Sequence, residues 1–310
     1  MKPKGIPGGQ SPEDLQEVLA EVRRIEAQSR ALVGGILAGG YHSVFRGNGI
    51  EFEEIREFAE GDDPRFIDPS VTAKMGRPFV KVFVEERERS LLFLLDTSAS
   101  MVSKEGAWTP RQMAARITAC LALSAHRNDD RVGLLTYGSR AETYLPPKKG
   151  IGHILRILRD ILALSSSPGR AKLAGALDYA GKVLKRPSSI LILSDLCGEN
   201  PESWEGPLSV CAKNHDVLTL RIGAEAPTAG GLRAMQDPET GERRILDFGS
   251  LRVRRAYTKA KETHRHHCTK KLRRHGAEIL DFTIPSHPTM DSVLRPILSF
   301  FHKRRRQGNQ

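Results

Sequence analysis

Leu91-Leu92-Phe93-Leu94-Leu95-Asp96-Thr97-Ser98-Ala99-Ser100 is the stretch on which the fold turns. Five consecutive apolar residues with no polar alternation predict a strand buried on both faces, as in the middle of a parallel sheet. Working outward, strand and helix patterns alternate. Downstream, spacing predicts a helix from Pro110 to His126, short strands from Arg131 to Tyr137 and Ala141 to Leu145, and helices from Ile151 to Leu164 and Leu173 to Leu184. A strand from Ser189 to Ser194, a helix from Glu202 to Asn214 and a strand from Val217 to Ile222 follow. Arg243 to Phe248 reads as a hairpin arm. A long basic helix, a strand from Ala277 to Ile284 and a helix from Asp291 to about Lys303 complete the series. Such alternation predicts an α/β three-layer, Rossmann-like domain around a mostly parallel sheet.

Upstream the texture differs. Ser11-Pro12-Glu13-Asp14 reads as a helix start, with Ser as N-cap and Pro at the first helical position. Leu15, Val18, Leu19, Val22 and Ile25 carry the amphipathic spacing, which resumes at Leu32, Val33, Ile36 and Leu37 and stops at Gly39-Gly40. From Tyr41 to Glu88 the chain is rich in glycine, arginine and acids, with one clear strand from Val80 to Glu86. The expected organisation is therefore a disordered segment over 1–10, an N-terminal helix and β-rich segment over 11–88, the α/β domain over 89–302, and a basic tail over 303–310.

A chain of 310 residues with 39% hydrophobic and 27% charged residues is globular in composition, which excludes a wholly disordered or fibrous protein. Its four cysteines form no close pair, so a reducing compartment is expected and no disulfide framework. No apolar run is long enough to cross a membrane and the first residues lack the apolar core of a signal peptide. A soluble cytoplasmic protein is the expectation. The net charge of +11 is concentrated: Leu251 to His275 holds ten Lys and Arg against Glu262, and Lys303-Arg304-Arg305-Arg306 adds four more. A field of this kind attracts anionic partners, although a run of charge is also what a solvated helix face looks like.

Ligand sites in open α/β sheets lie outside the carboxyl ends of the strands. There the buried strand delivers Asp96 followed by Ser98 and Ser100, and the strand from Ser189 delivers Asp195. Two carboxylates and two hydroxyls suit a hard divalent cation, Mg2+ or Mn2+, that keeps several waters. The plainer reading is that Asp and Ser cap the helices that follow. The second strand-end Asp favours the site.

These residues resemble the metal-ion-dependent adhesion site of the von Willebrand factor type A fold. More specifically, the chain resembles the bacterial domain-of-unknown-function family number fifty-eight. That resemblance is carried by His42-Ser43-Val44-Phe45-Arg46-Gly47, Glu51-Phe52, Ile55-Arg56-Glu57-Phe58 and Gly61-Asp62-Asp63-Pro64-Arg65-Phe66-Ile67-Asp68. It continues in Lys81-Val82-Phe83-Val84-Glu85-Glu86-Arg87-Glu88, Asp237-Pro238-Glu239-Thr240-Gly241-Glu242-Arg243 and Leu298-Ser299-Phe300-Phe301. It implies a von Willebrand factor A-like domain, with Asp96, Ser98, Ser100 and Asp195 as metal residues. The second-loop Thr of such sites falls on Ala171 here, with Lys172 beside it, so one oxygen is missing; water or one of Ser165 to Ser167 is the expected substitute. The resemblance also implies a MoxR-like AAA+ ATPase as partner, in the assembly or remodelling of other proteins.

Two other constellations draw the eye. Glu57, Asp62, Asp63 and Asp68 beside Arg56 and Arg65 read as an ion-pair network, because no nucleophile stands beside a base. His264, His267 and Cys268 share a helical face, but the crowd of cations around them favours a plain basic surface over zinc. No phosphate-binding glycine motif is present, and the position two after Asp96 is Ser98 where an aspartyl-phosphate enzyme carries a second Asp. The expectation is a non-enzymatic protein-interaction factor. The alternative is nucleic-acid binding through the basic helix.

Overall fold

The computed structural model describes residues 12–32, 50–85, 89–103, 107–167, 169–197, 199–224, 230–237 and 241–308. Contacts divide the chain into two compact units, Gly47–Arg89 and the remainder. The expected segments 1–10 and Val33 to Gly40, with the His42 to Gly47 motif, lie outside the described residues. The same is true of Glu86 to Glu88 and Pro238 to Thr240.

In the smaller unit, β1 (Ile50–Glu57) pairs antiparallel with β2 (Phe79–Glu85). Between them come a 3-10 turn (Pro64–Phe66) and α2 (Pro69–Met75). Asp68 starts α2 by accepting hydrogen bonds from the amides of Ser70 (2.8 Å) and Val71 (3.1 Å), and Gly76 ends it at φ 68°. The acid-arginine cluster forms ion pairs: Arg56 grips both oxygens of Asp62 at 2.7 Å, Arg65 holds Asp63, and Lys81 reaches Asp68 at 3.0 Å. Hydrogen bonds from Arg56 and the Ala59 amide hold the Asp62 carboxyl down at about 2.

The larger unit is built on a six-stranded sheet ordered β10 (Glu278–Ile284), β7 (Asp216–Ala224), β6 (Ser189–Ser194), β3 (Ser90–Asp96), β4 (Arg131–Tyr137), β5 (Ala141–Lys148). Every neighbouring pair is parallel except β4 and β5. Counted within this sheet from β3 as its first strand, the order is 3-2-1-4-5-6, which reverses direction between β3 and β6. The apolar run of β3 is fully buried, and its side chains alternate between two cores. Leu91, Phe93 and Leu95 pack with α3 (Pro110–Arg127), α4 (Ile151–Ala163) and α8 (Asp291–Gly308). Leu92 and Leu94 pack with α5 (Leu173–Val183), α6 (Pro201–Asn214) and α7 (Leu251–Arg274). This is the expected three-layer α/β architecture. Each such leucine contributes roughly 2 kcal/mol by leaving water.

Three features differ from the sequence reading. Segment 11–88 does not hold together: α1 (Pro12–Leu32) buries Val22 and Ile25 in the core of α3 and α4 and so belongs to the larger unit. The hairpin arm at β9 (Arg243–Asp247) has a partner, β8 (Leu232–Gln236), whose short and mostly exposed sequence lacks the apolar alternation that announces a strand. Finally, α8 runs through 303–308, where the sequence suggested a basic tail. Arg304 is buried and bonded to Asp216 (2.8 and 3.0 Å) and Glu278 (2.8 Å), which ties the helix end to the sheet.

Candidate functional site

β3 and β6 are adjacent and parallel, with Leu95 opposite Leu193, so their carboxyl ends open side by side at the switch point of the sheet. Asp96 is 2% exposed there. Its Oδ1 accepts from the Ser98 amide at 2.8 Å, and its Oδ2 accepts from the Ser194 hydroxyl at 2.6 Å. Ser194 in turn accepts from the Leu196 amide at 2.9 Å, which holds buried Leu196 in the left-handed region at φ 54°. Ser98 and Ser100, both buried, flank the start of a 3-10 turn (Ala99–Val102), and their hydroxyls bond to each other at 3.0 Å. Asp195 lies half-buried on the neighbouring loop and accepts from the Cys197 amide at 2.9 Å.

The structure therefore brings Asp96, Ser98 and Ser100 into one bonded group. Asp195 acts on that group through its charge. Burial pushes the Asp96 carboxyl up to about 6 and the negative Asp195 adds to the rise, against hydrogen bonds from Ser194 and Ser98 that pull it down. Ala171 is buried in the apolar core beside α5 and offers no oxygen; the Lys172 side chain is exposed, while its amide donates to the Gly138 carbonyl at 2.8 Å.

The roles of Ser194, Arg111, Thr97, Glu142 and Glu199 escaped the sequence reading. Ser194 clamps Asp96 from the next strand. Arg111, at the start of α3, is 4% exposed; it donates through Nη1 to the Leu164 carbonyl, while its Nε and Nη2 have no partner among the described residues. Burial pulls its guanidinium down to about 10, offset by the charges of Asp96 and Glu142. Thr97 donates to Glu142 at 3.0 Å, and Ser167 bonds both Thr97 (2.9 Å) and Glu142. Ser167, one of the expected substitutes for the missing Thr, thus joins β5 to the loop after β3. Glu199, on the loop after β6, caps α5 by accepting from the Leu173 amide at 3.0 Å.

The second constellation is structural. His264 bonds the Leu196 carbonyl through Nε2 at 2.8 Å and lies 3.5 Å from the Cys268 sulfur, while His267 faces Glu202 at 3.4 Å. Burial pushes the Cys268 thiol up to about 11, away from the thiolate a metal needs. Among the described residues no three His, Cys, Asp or Glu side chains converge on a metal position. None of the described helices is long and apolar enough to cross a membrane.

Among curated proteins the chain is similar to the uncharacterized protein Rv1480 of Mycobacterium tuberculosis, at 28% identity over 299 residues that cover 94% of this chain and 92% of the relative. Among solved structures it is similar to the conserved hypothetical protein BatB of Bacteroides thetaiotaomicron, with a TM-score of 0.43 and 14% identity over 70% of this chain and 98% of that one. It is also similar to the SpRpn10 VWA domain, with a TM-score of 0.40 and 15% identity over 66% of this chain and 93% of that one. The description "Protein of unknown function DUF58" matches residues 54–267, from β1 through the switch-point loops into α7. The chain belongs to this family.

Proposed function

We propose that this chain is a non-catalytic protein-interaction factor that receives its partner at the carboxyl edge of the sheet, through a divalent cation held by Asp96, Ser98, Ser100 and Asp195. One observation carries the reading: the 3.0 Å separation of the Ser98 and Ser100 hydroxyls beside the Asp96 carboxylate. Two adjacent ligands of an octahedral Mg2+, each about 2.1 Å from the ion, stand about 3.0 Å apart. The donor set is all oxygen, as Mg2+ or Mn2+ requires, and water fills the place that Ala171 leaves open. A bound cation also removes the cost of the ionised, buried Asp96. The partner completes the shell with a carboxylate. We take that partner to be a MoxR-like AAA+ ATPase or its client, as the family resemblance implies.

The test is calorimetric titration of Mg2+ and Mn2+ into the wild type and Asp96→Ala, followed by binding of a purified MoxR-like ATPase with cation or with chelator. Saturable cation binding that Asp96→Ala abolishes, with ATPase binding that chelator weakens, is the expected result. An absence of cation binding up to millimolar concentration sinks the cation-held version.

A further inference from the structure

The long helix α7 is two-sided in charge. Its inward side carries Tyr257, Cys268 and Leu272, and the cations nearest the domain are consumed in ion pairs. Arg265 meets Asp281 at 2.9 Å, Lys271 meets Glu205, and Arg274 meets Glu205 at 3.7 Å. A second set behaves differently. Arg252, Arg255, Lys259, His266, Lys270 and Arg273 recur at three-, four- and seven-residue spacing, which places them in one stripe along the helix. At 1.5 Å per residue the stripe is about 32 Å long. All six are exposed, and none of its five Arg and Lys has an ion-pair partner among the described residues. Glu262, exposed and spaced three residues from Lys259 and four from His266, is the one acid in the helix sequence and lies in the gap of this stripe.

We propose that this stripe binds the phosphate backbone of a nucleic-acid duplex without reading its sequence. Three classes of anionic partner can be compared from the side chains present. A folded protein partner needs an apolar or aromatic anchor at the centre of the contact, and no stripe position supplies one. An anionic membrane surface needs a row of large apolar side chains beside the cations; Cys268 and Leu272 are turned into the domain, and Leu251, at the first position, is the one large apolar side chain that α7 leaves exposed. A duplex needs only a row of cations against a regular row of phosphates. No aromatic platform is required, since that serves unpaired bases. The stripe uses none of Asp96, Ser98, Ser100 and Asp195, so its test is independent of the cation reading.

The test is fluorescence anisotropy of the full chain with a labelled 20-base-pair DNA duplex of arbitrary sequence, from 50 to 200 mM salt. Five phosphate contacts give a slope of log K against log salt of about −4.5, so affinity drops roughly 500-fold across that range. The variant Arg252→Gln/Arg255→Gln/Lys259→Gln removes three contacts; its slope flattens to about −1.8, a roughly 12-fold drop. The variant Lys270→Gln/Arg273→Gln flattens it by about 1.8. Removing three exposed cations elsewhere, in Arg23→Gln/Lys74→Gln/Lys148→Gln, leaves the slope in place. Absence of duplex binding at 50 mM salt overturns the proposal, as does a stripe variant that matches the control variant. Stripe-dependent binding of polyglutamate or of phosphatidylserine vesicles without duplex binding also overturns it, and assigns the face to an acidic protein or a membrane.

Discussion

Asp96→Asn should stabilise the cation-free protein above pH 6 and do little at pH 4. The Asp96 carboxyl stands at about 6 in the folded chain against an ordinary value of 3.8, because burial and the charge of Asp195 outweigh the hydrogen bonds from Ser194 and Ser98. An acid whose folded value lies above its unfolded one leaves the native state holding more protons, so stability falls as pH rises. The loss begins near 3.8, grows through the interval up to about 6, and is constant above it. A gap of about 2.2 pH units at 1.36 kcal/mol per unit amounts to about 3 kcal/mol. Asparagine avoids this loss while preserving the geometry: its carbonyl accepts from the Ser98 amide and its NH2 donates to the Ser194 oxygen, as a protonated acid would. The assay is urea denaturation of both proteins in chelator at pH 4, 5, 6 and 7.5. The variant should lead by less than about 1 kcal/mol at pH 4 and by about 3 kcal/mol at pH 7.5. A lead that does not change with pH, or a wild type that is the more stable at pH 7.5, would refute the reasoning.

Two further substitutions probe the anchors of the site and of the sheet. At Gly138 an added Cβ would stand 2.5 Å from the Ser167 Cβ and 2.8 Å from Glu142 Oε1. Gly138→Ala should therefore push Ser167 off Thr97 and Glu142 and destabilise the chain by about 1–3 kcal/mol, read as a fall in melting temperature. Arg304→Met leaves Asp216 without its counter-charge and should cost about 3 kcal/mol in chemical denaturation. Adding Asp216→Asn should restore part of the loss, and a strictly additive double variant would contradict the pairing.

How much of this was legible beforehand follows from what each signal measures. The run Leu91 to Leu95 and the alternation after it report burial and period, which are local properties, so the parallel sheet and its helices could be read from the chain. The strand-end residues Asp96, Ser98, Ser100 and Asp195 were legible for the same reason, since a strand's end marks the sheet's edge. The partners that give the site its electrostatics were not. Ser194 lies 98 residues from Asp96 and Ser167 lies 70 from Thr97. Their meetings depend on strand order and register, which no window of sequence contains. The same holds for Arg111, whose buried guanidinium looks from sequence like an ordinary polar residue in the first turn of a helix. In α7 the sequence counts ten cations, but only packing against Glu202, Glu205 and Asp281 separates those already paired from the row left facing water. Composition along the chain determined which elements form and where charge accumulates. Tertiary structure decided which charges are neutralised, because neutralisation takes a second group brought within a few ångströms by the fold.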